Sequence, residues 1–459
     1  MKIHSIKLRH CSHFSDLNIE FKYSNKPITL ILGNQSSGKT AIIKNIYQAL
    51  TWFPARLKDA RTAGVVMLDS DITQNRVQSR IQMNIQIPDE IGSLSESFSS
   101  QDKDVSTCSW ILYKTLNAQG LGHSKVDTQQ LEQLTDLYNK AILQDPLQGL
   151  PLIAYYPSDR FVNEMNLISK NNPAVFQHHS AYELAPLPYT TFARFFEWFR
   201  EINDIENAQM AQLFQKILQT TQGKDSTAFD DETVNLNQKL FQAHAQMHAP
   251  SMVALKTALN TVFPDLTDLY LEYLPKLQLM VNYQGQLMSF SQLSNSMKNW
   301  IALIGDVVRR LCLLNPNQLY PCMEGDGILL IDNIDAQLDQ DTTQNILKRL
   351  HQAFPQLQII ATGCSQDLLE HAEQYQYFKL DQKKLYEVDL SSHKNNLDTL
   401  YQNVLHTLEP NQDDALLSAE INSNAPQQMF EKFQDLSPEQ QLEFLQLIQD
   451  GDAYKPAKI

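Results

Sequence analysis

At 459 residues, with 42% hydrophobic and 19% charged residues, the chain has apolar material for two or three domains, or one elaborated α/β domain with an insertion, and is not a disordered chain. A formal net charge of −15, from 37 basic and 52 acidic residues, gives little support to a general electrostatic grip on nucleic acid; any such contact needs a local basic patch. The cysteines (Cys11, Cys108, Cys312, Cys322, Cys364) form no CxxC pair, MKIHSIKLRHCSHF lacks a signal-peptide core, and no run of 18 apolar residues occurs, so a reduced, cytoplasmic protein without a membrane span is expected.

Ile3, Ile6 and Leu8 alternate with polar residues, and Leu17 to Phe21 do so again, which predicts two early strands joined by a polar turn. ITLILG, Ile28 to Gly33, is a continuous apolar run of the kind found in strands buried on both faces. A helical pattern follows through Ile42, Ile43, Ile46, Tyr47 and Leu50, and then a strictly alternating strand over 78–88. From about 130 to 265 the pattern is mostly helical: LEQLTDLYNKAIL, then TTFARFFEWFREINDIENAQMAQLFQKILQ, then a polar helix through KLFQAHAQMH. LQLMVNYQGQLMSFSQLS brings strands back, with a turn at Gln284-Gly285, and NWIALIGDVVRRLCLL is an amphipathic helix. GILLID and LQIIATG are again buried strands. Beyond about residue 392 the chain is polar and ends in a helix signature, with Ser437 as N-cap, Pro438 at N1 and Gly451 past the end.

GNQSSGKT, Gly33 to Thr40, matches G-x-x-x-x-G-K-[ST] in full and lies between the buried strand and a helix. Gly33 and Gly38 let the backbone curl, so that the N–H groups of Asn34, Gln35, Ser36, Ser37 and on to Ala41 can converge on a phosphate at the positive end of the helix. Lys39 would reach the β- and γ-phosphates of ATP, and the Thr40 hydroxyl would bind Mg²⁺. Such a site needs an aspartate at the end of a neighbouring strand, and Asp332, closing ILLID, fits.

The order of these pieces resembles the ABC-type ATPases of the RecF/SMC/break-repair group, and more closely the AAA-like proteins of bacterial RecF-like, Septu and retron defence systems. IKLRHCSHFSDLNIEF is similar to the family's opening hairpin. GNQSSGKT follows, then LIAYYPSDR, FFEWFREINDIEN, QLSNSMKNWIALIGDVVRRL at the signature position, ILLIDNIDAQLD at Walker B, and FPQLQIIATGCSQDLL at the switch strand. The resemblance implies an α/β ABC-type P-loop NTPase head, a mixed sheet with flanking helices, interrupted by a mainly helical insertion. On it the domains fall at 1–125 (first ATPase lobe), 126–270 (helical insertion), 271–392 (second lobe) and 393–459 (polar, helical C-terminal region). It also implies a homodimer through the ATP-binding faces, in which the loop carrying Ser294 and Ser296 caps the partner's γ-phosphate, an approach that the Ser296 side chain would crowd, and an effector protein such as a nuclease. A nuclease within the chain is not expected, because the residues beyond 390 are too few for the family's Toprim module.

Three positions depart from the family. Ser296 replaces the signature glycine, Asn333 replaces the glutamate that activates water, and Cys364 replaces the switch histidine. An amide can hold water but cannot take its proton, which costs about 10²–10⁴-fold in rate. The expectation is an ATP-binding structural or regulatory subunit, in antiphage defence, with slow or absent hydrolysis. The alternative is an active DNA-associated ATPase in repair or defence, in which Asp335 or Glu324 substitutes as base. Of the remaining features, His10, Cys11 and His13 lack a second ligand pair and read as a solvated hairpin. Phe195, Phe196, Trp198 and Phe199 cover more than one helix face and read as core. Cys364 reads as a buried thiol, and Arg309-Arg310 as cations at a helix end.

Overall fold

The computed structural model describes residues 1–94, 106–117, 119–120, 122–145, 147–162, 181–182, 192–221 and 250–389, all within the first of two units, Met1–Ser391. The polar helix through KLFQAHAQMH and the C-terminal helix expected over Ser437–Gly451 lie outside the described residues.

The elements run β1 (Lys2–Cys11), β2 (Phe14–Glu20), β3 (Ile28–Gly33), α1 (Lys39–Leu50), α2 (Trp52–Lys58), β4 (Gln78–Gln86), β5 (Thr107–Leu116), β6 (Gly122–Asp127) and α3 (Gln129–Gln144). Then come β7 (Leu152–Tyr156), α4 (Ala193–Thr221), α5 (Pro250–Val262), β8 (Leu266–Glu272), β9 (Gln278–Tyr283), β10 (Gln286–Ser289) and α6 (Asn295–Leu314). The last are α7 (Pro321–Glu324), β11 (Gly327–Ile331), α8 (Gln340–Ala353), β12 (Leu357–Gly363), β13 (Tyr375–Asp381) and β14 (Lys384–Val388).

A six-stranded sheet ordered β14-β13-β3-β12-β11-β7 is parallel except for β14. Its inner strands are the continuous apolar runs of the sequence, because a parallel sheet covered on both faces leaves no polar side. Every residue of β11 and β12 is buried. The parallel pairing brings the C-terminal ends of β3, β12, β11 and β7 to one edge, the place where open α/β sheets bind ligands. A second sheet, β2-β1-β4-β5-β6, is antiparallel and alternates, with Ile6, Leu8, Ile81, Met83 and Trp110 turned inward. The third, β10-β9-β8, carries the Gln284-Gly285 turn, with φ of 53° and 73° as a tight hairpin requires. The stretch read as helical also supplies β7, which pairs in parallel with β11 and so belongs to the main sheet.

Helix α6 runs through the core. The Ser294 hydroxyl caps it by accepting from the Met297 N–H at 3.2 Å. Phe195, Phe196, Trp198 and Phe199 on α4 are buried, as their spacing predicted, and Phe196 meets Phe290 edge-on at 5.5 Å. Arg309 and Arg310 correct the sequence reading. The helix continues to Leu314, and both turn inward onto Asp306, with Nε to Oδ1 at 2.9 Å and Nε to Oδ2 at 2.7 Å. Tyr156 Oη on β7 donates to the same carboxylate at 2.9 Å. Burial opposes ionisation of Asp306, but the two guanidiniums overcome it and hold the carboxyl below the usual range.

Candidate functional site

Gly33 ends β3, Asn34 to Ser37 turn, and Lys39, Thr40 and Ala41 open α1. The glycines are dictated by space and conformation. A Cβ on Gly33 would lie 2.7 Å from the Leu380 carbonyl oxygen, and Gly38 has φ 108°, with the Phe14 ring 3.0 Å from where its Cβ would stand. Ser36 takes φ 60°. Lys39 Nζ reaches back over the loop and donates to the Gly33 and Asn34 carbonyls at 2.5 and 2.9 Å. The Ser37 hydroxyl oxygen is buried without a partner, a polar group of the kind a phosphate oxygen satisfies.

Thr40 Oγ1 donates to Asp332 Oδ2 at 2.8 Å, joining residues 292 apart in sequence. Thr362 Oγ1, at the end of β12, donates to Asp332 Oδ1 at 2.5 Å and accepts from the Asn333 N–H at 2.9 Å. Asp332 is 1% exposed and is fixed from three sides, because its own N–H also donates to the Tyr156 carbonyl at 2.9 Å. The donor set fits a magnesium nucleotide: a hydroxyl and a carboxylate side by side for the cation, and a curled loop with a lysine for the phosphates.

Asn333 has φ 52°, and its Oδ1 lies 3.9 Å from Cys364 Sγ. Two of the three departures from the family pattern thus meet beside Asp332, an amide and a thiol in place of a carboxylate and an imidazole. Cys364 is exposed, which corrects the buried-thiol expectation: β12 ends at Gly363, so the side chain stands past the strand, at the mouth of the site. Asp335 Oδ2 accepts from the N–H groups of Cys364 and Ser365 at 2.8 and 2.5 Å and so ties the two turns together. Its other oxygen is buried without a partner. Glu324 is excluded as a substitute base. It sits before β11, in the wall of a cavity with Met1, Tyr138 and Asp326, roughly 16 Å of strand from Asp332 at about 3.3 Å per residue.

Ser294 and Ser296 stand at the N-terminus of α6. The Ser296 hydroxyl donates to the Gln337 carbonyl at 2.5 Å, and among the described residues no hydrogen bond joins either serine to the phosphate loop. Sequence reasoning gave no role to Thr362 or Arg160. Thr362 was signalled by a hydroxyl closing an apolar strand. Arg160 follows β7 and donates to the Asp332 and Asn333 carbonyls at 2.5 and 3.1 Å. Burial pushes its guanidinium down to about 10, against the pull of the Asp332 and Asp335 carboxylates.

Known proteins resemble the chain over most of its length. The Retron Ec83 probable ATPase of Escherichia coli is 25% identical over 395 residues, covering 79% of this chain and 68% of that protein. The Retron Vc95 probable ATPase of Vibrio cholerae is 25% identical over 377 residues, covering 78% and 70%. Among solved structures, the Smc head domain with an extended coiled coil from Pyrococcus furiosus aligns over 87% of this chain and 99% of its own, with 12% identity and a TM-score of 0.45. No helix of the described residues is long and apolar enough to cross a membrane. An AAA domain matches residues 5–247, from the first strand through the phosphate loop and over more than half of the sequence, so the chain belongs to the AAA-domain family.

Proposed function

We propose that the chain is a nucleotide-gated structural or regulatory subunit that binds ATP·Mg²⁺ and hydrolyses it slowly or not at all. The observation that carries this reading is a contrast within one site. The groups that would hold nucleotide and metal (Lys39, Thr40, Asp332) are assembled, while the positions that would activate water carry an amide and a thiol, Asn333 and Cys364. The loop amides and Lys39 would bind the phosphates, and Thr40 with Asp332 would hold Mg²⁺. Asn333 would orient a water without accepting its proton. Two chains would meet through their ATP-binding faces, with Ser294 and Ser296 of each against the nucleotide of the other. An effector such as a nuclease would be restrained or released by the state of that dimer. The similarity to two retron ATPases supports a place in antiphage defence.

A second reading, active turnover by a DNA-associated ATPase, is favoured by one feature: the buried, unpartnered oxygen of Asp335, a carboxylate close to Cys364 that could serve as base. ATP binding and turnover in the purified chain, beside Asn333→Glu and Lys39→Ala, separate the two. Subunit behaviour predicts ATP binding that Lys39→Ala abolishes, negligible wild-type turnover, and a rise in turnover of about 10²-fold or more in Asn333→Glu. Brisk wild-type turnover lost in Lys39→Ala and in Asp335→Asn would replace the first reading by the second.

A further inference from the structure

The guanidinium of Arg160 serves three main-chain carbonyls, those of Pro157 at 2.9 Å, Asp332 at 2.5 Å and Asn333 at 3.1 Å. Its own carbonyl accepts from Asn299 Nδ2 at 3.1 Å, and its guanidinium carbon lies 5.9 Å from the centre of the Trp300 ring. Asn299 and Trp300 stand in the early turns of α6, the helix that begins at the signature-position serines. The side chain therefore joins the end of β7 to the turn after β11 and lies against the Trp300 ring, while the main-chain carbonyl holds the start of α6.

The chemistry of the fork matters. Asp332 and Asn333 are consecutive, so two carbonyls turned to one planar guanidinium fix the peptide between them. A lysine ammonium, a single point donor group on a flexible stem, lacks that planar match. Asn333 takes a left-handed backbone that asparagine tolerates but does not prefer. With its carbonyl engaged by Arg160, the Asp332 carboxylate remains with Thr40 and Thr362. The Ser296 bond to the Gln337 carbonyl fastens the same helix to the same turn at a second point.

We propose that Arg160 is a positioning residue for the metal half of the nucleotide site. Its guanidinium sets the Asp332–Asn333 peptide and packs it toward the Trp300 ring of α6, so the Mg²⁺-dependent part of ATP affinity depends on it and the grip of the loop on phosphate does not. This inference rests on the ATP·Mg²⁺ reading above.

The test is equilibrium ATP binding by calorimetry, with Mg²⁺ and with a chelator, for the full-length wild type, Arg160→Ala, Arg160→Lys and Lys39→Ala. In Arg160→Ala the ratio of affinity with metal to affinity without falls about tenfold, the scale of one charge-assisted hydrogen bond, while affinity in chelator changes less than threefold. Arg160→Lys loses most of the ratio as well, and millimolar methylguanidinium restores part of it in Arg160→Ala but none in Lys39→Ala. An unchanged ratio, or equal losses with and without metal, overturns the proposal, including the case where only the melting temperature falls. Should Arg160→Ala fail to fold, Arg160→Lys decides by the same ratio. A wild type that binds no ATP under either condition identifies the failure as that of the ATP reading, and this inference falls with it.

Discussion

Replacing Asp306 by asparagine probes the charge network behind the site. The carboxylate is 3% exposed and takes Arg309 Nε at 2.9 Å, Arg310 Nε at 2.7 Å and Tyr156 Oη at 2.9 Å. An amide keeps the shape but removes the buried charge that both guanidiniums face, so unfolding free energy should drop by about 3–5 kcal/mol. Tyr156→Phe removes one of the three bonds and leaves the ion pairs intact, so its cost is about 1–2 kcal/mol. The pH dependence has a definite sign. Asp306 titrates below its ordinary value of 3.8 when folded, so its contribution is complete above that value and is lost as pH falls through the folded one. Urea unfolding followed by tryptophan fluorescence at pH 7.5, 5.5 and 3.0 reads this directly. The gap between wild type and Asp306→Asn should be equal at the two higher values and narrower at the lowest. A variant with the wild-type urea midpoint at pH 7.5, or a gap that widens in acid, would refute the reasoning.

Alkylation of the native chain should reach Cys364 well before the other four thiols, which are buried; burial also pushes Cys108 and Cys312 up to about 12. ATP·Mg²⁺ should protect Cys364, and peptide mapping that finds another cysteine labelled first would count against its position at the mouth. Thr362→Val, close in shape, removes the donor to Asp332 and the acceptor for the Asn333 N–H, so ATP affinity in Mg²⁺ should fall about tenfold; unchanged affinity would mean that Asp332 is held without it. Gly33→Ala drives a Cβ against the Leu380 carbonyl, and wild-type ATP affinity in that variant would show that the loop has room the geometry denies.

The site was legible where its residues carry their own signal. The run from Ile28 to Thr40 announces a buried strand, a curled loop and a helix, and Ile328 to Asp332 announces a second strand with a carboxylate at its end. What the sequence hid depends on partners far along the chain. β7 has only five residues and pairs with β11, so nothing local distinguished it from the helical patterns around it. Lys114 interrupts the polar–apolar alternation of β5 with a buried cation that pairs with Asp69, and no strand was read there. Arg309 and Arg310 look like helix-end cations until Asp306, one turn earlier, is seen to face the core. Cys364 turned on a single residue: a strand ending at Gly363 rather than one position later decides whether the thiol meets solvent.

The strand that leads into the phosphate loop is among the first pieces of this chain to be synthesised, yet its neighbours in the sheet, β12 and β13, are among the last. During translation β3 therefore waits with both edges unpaired, the condition under which strands recruit wrong partners. The 292 residues between Thr40 and Asp332 take roughly 15–60 s to make at about 5–20 residues per second. A nascent chain of this design keeps those edges open until the second half emerges, and truncation anywhere before β12 leaves a phosphate loop with neither neighbouring strand to hold it.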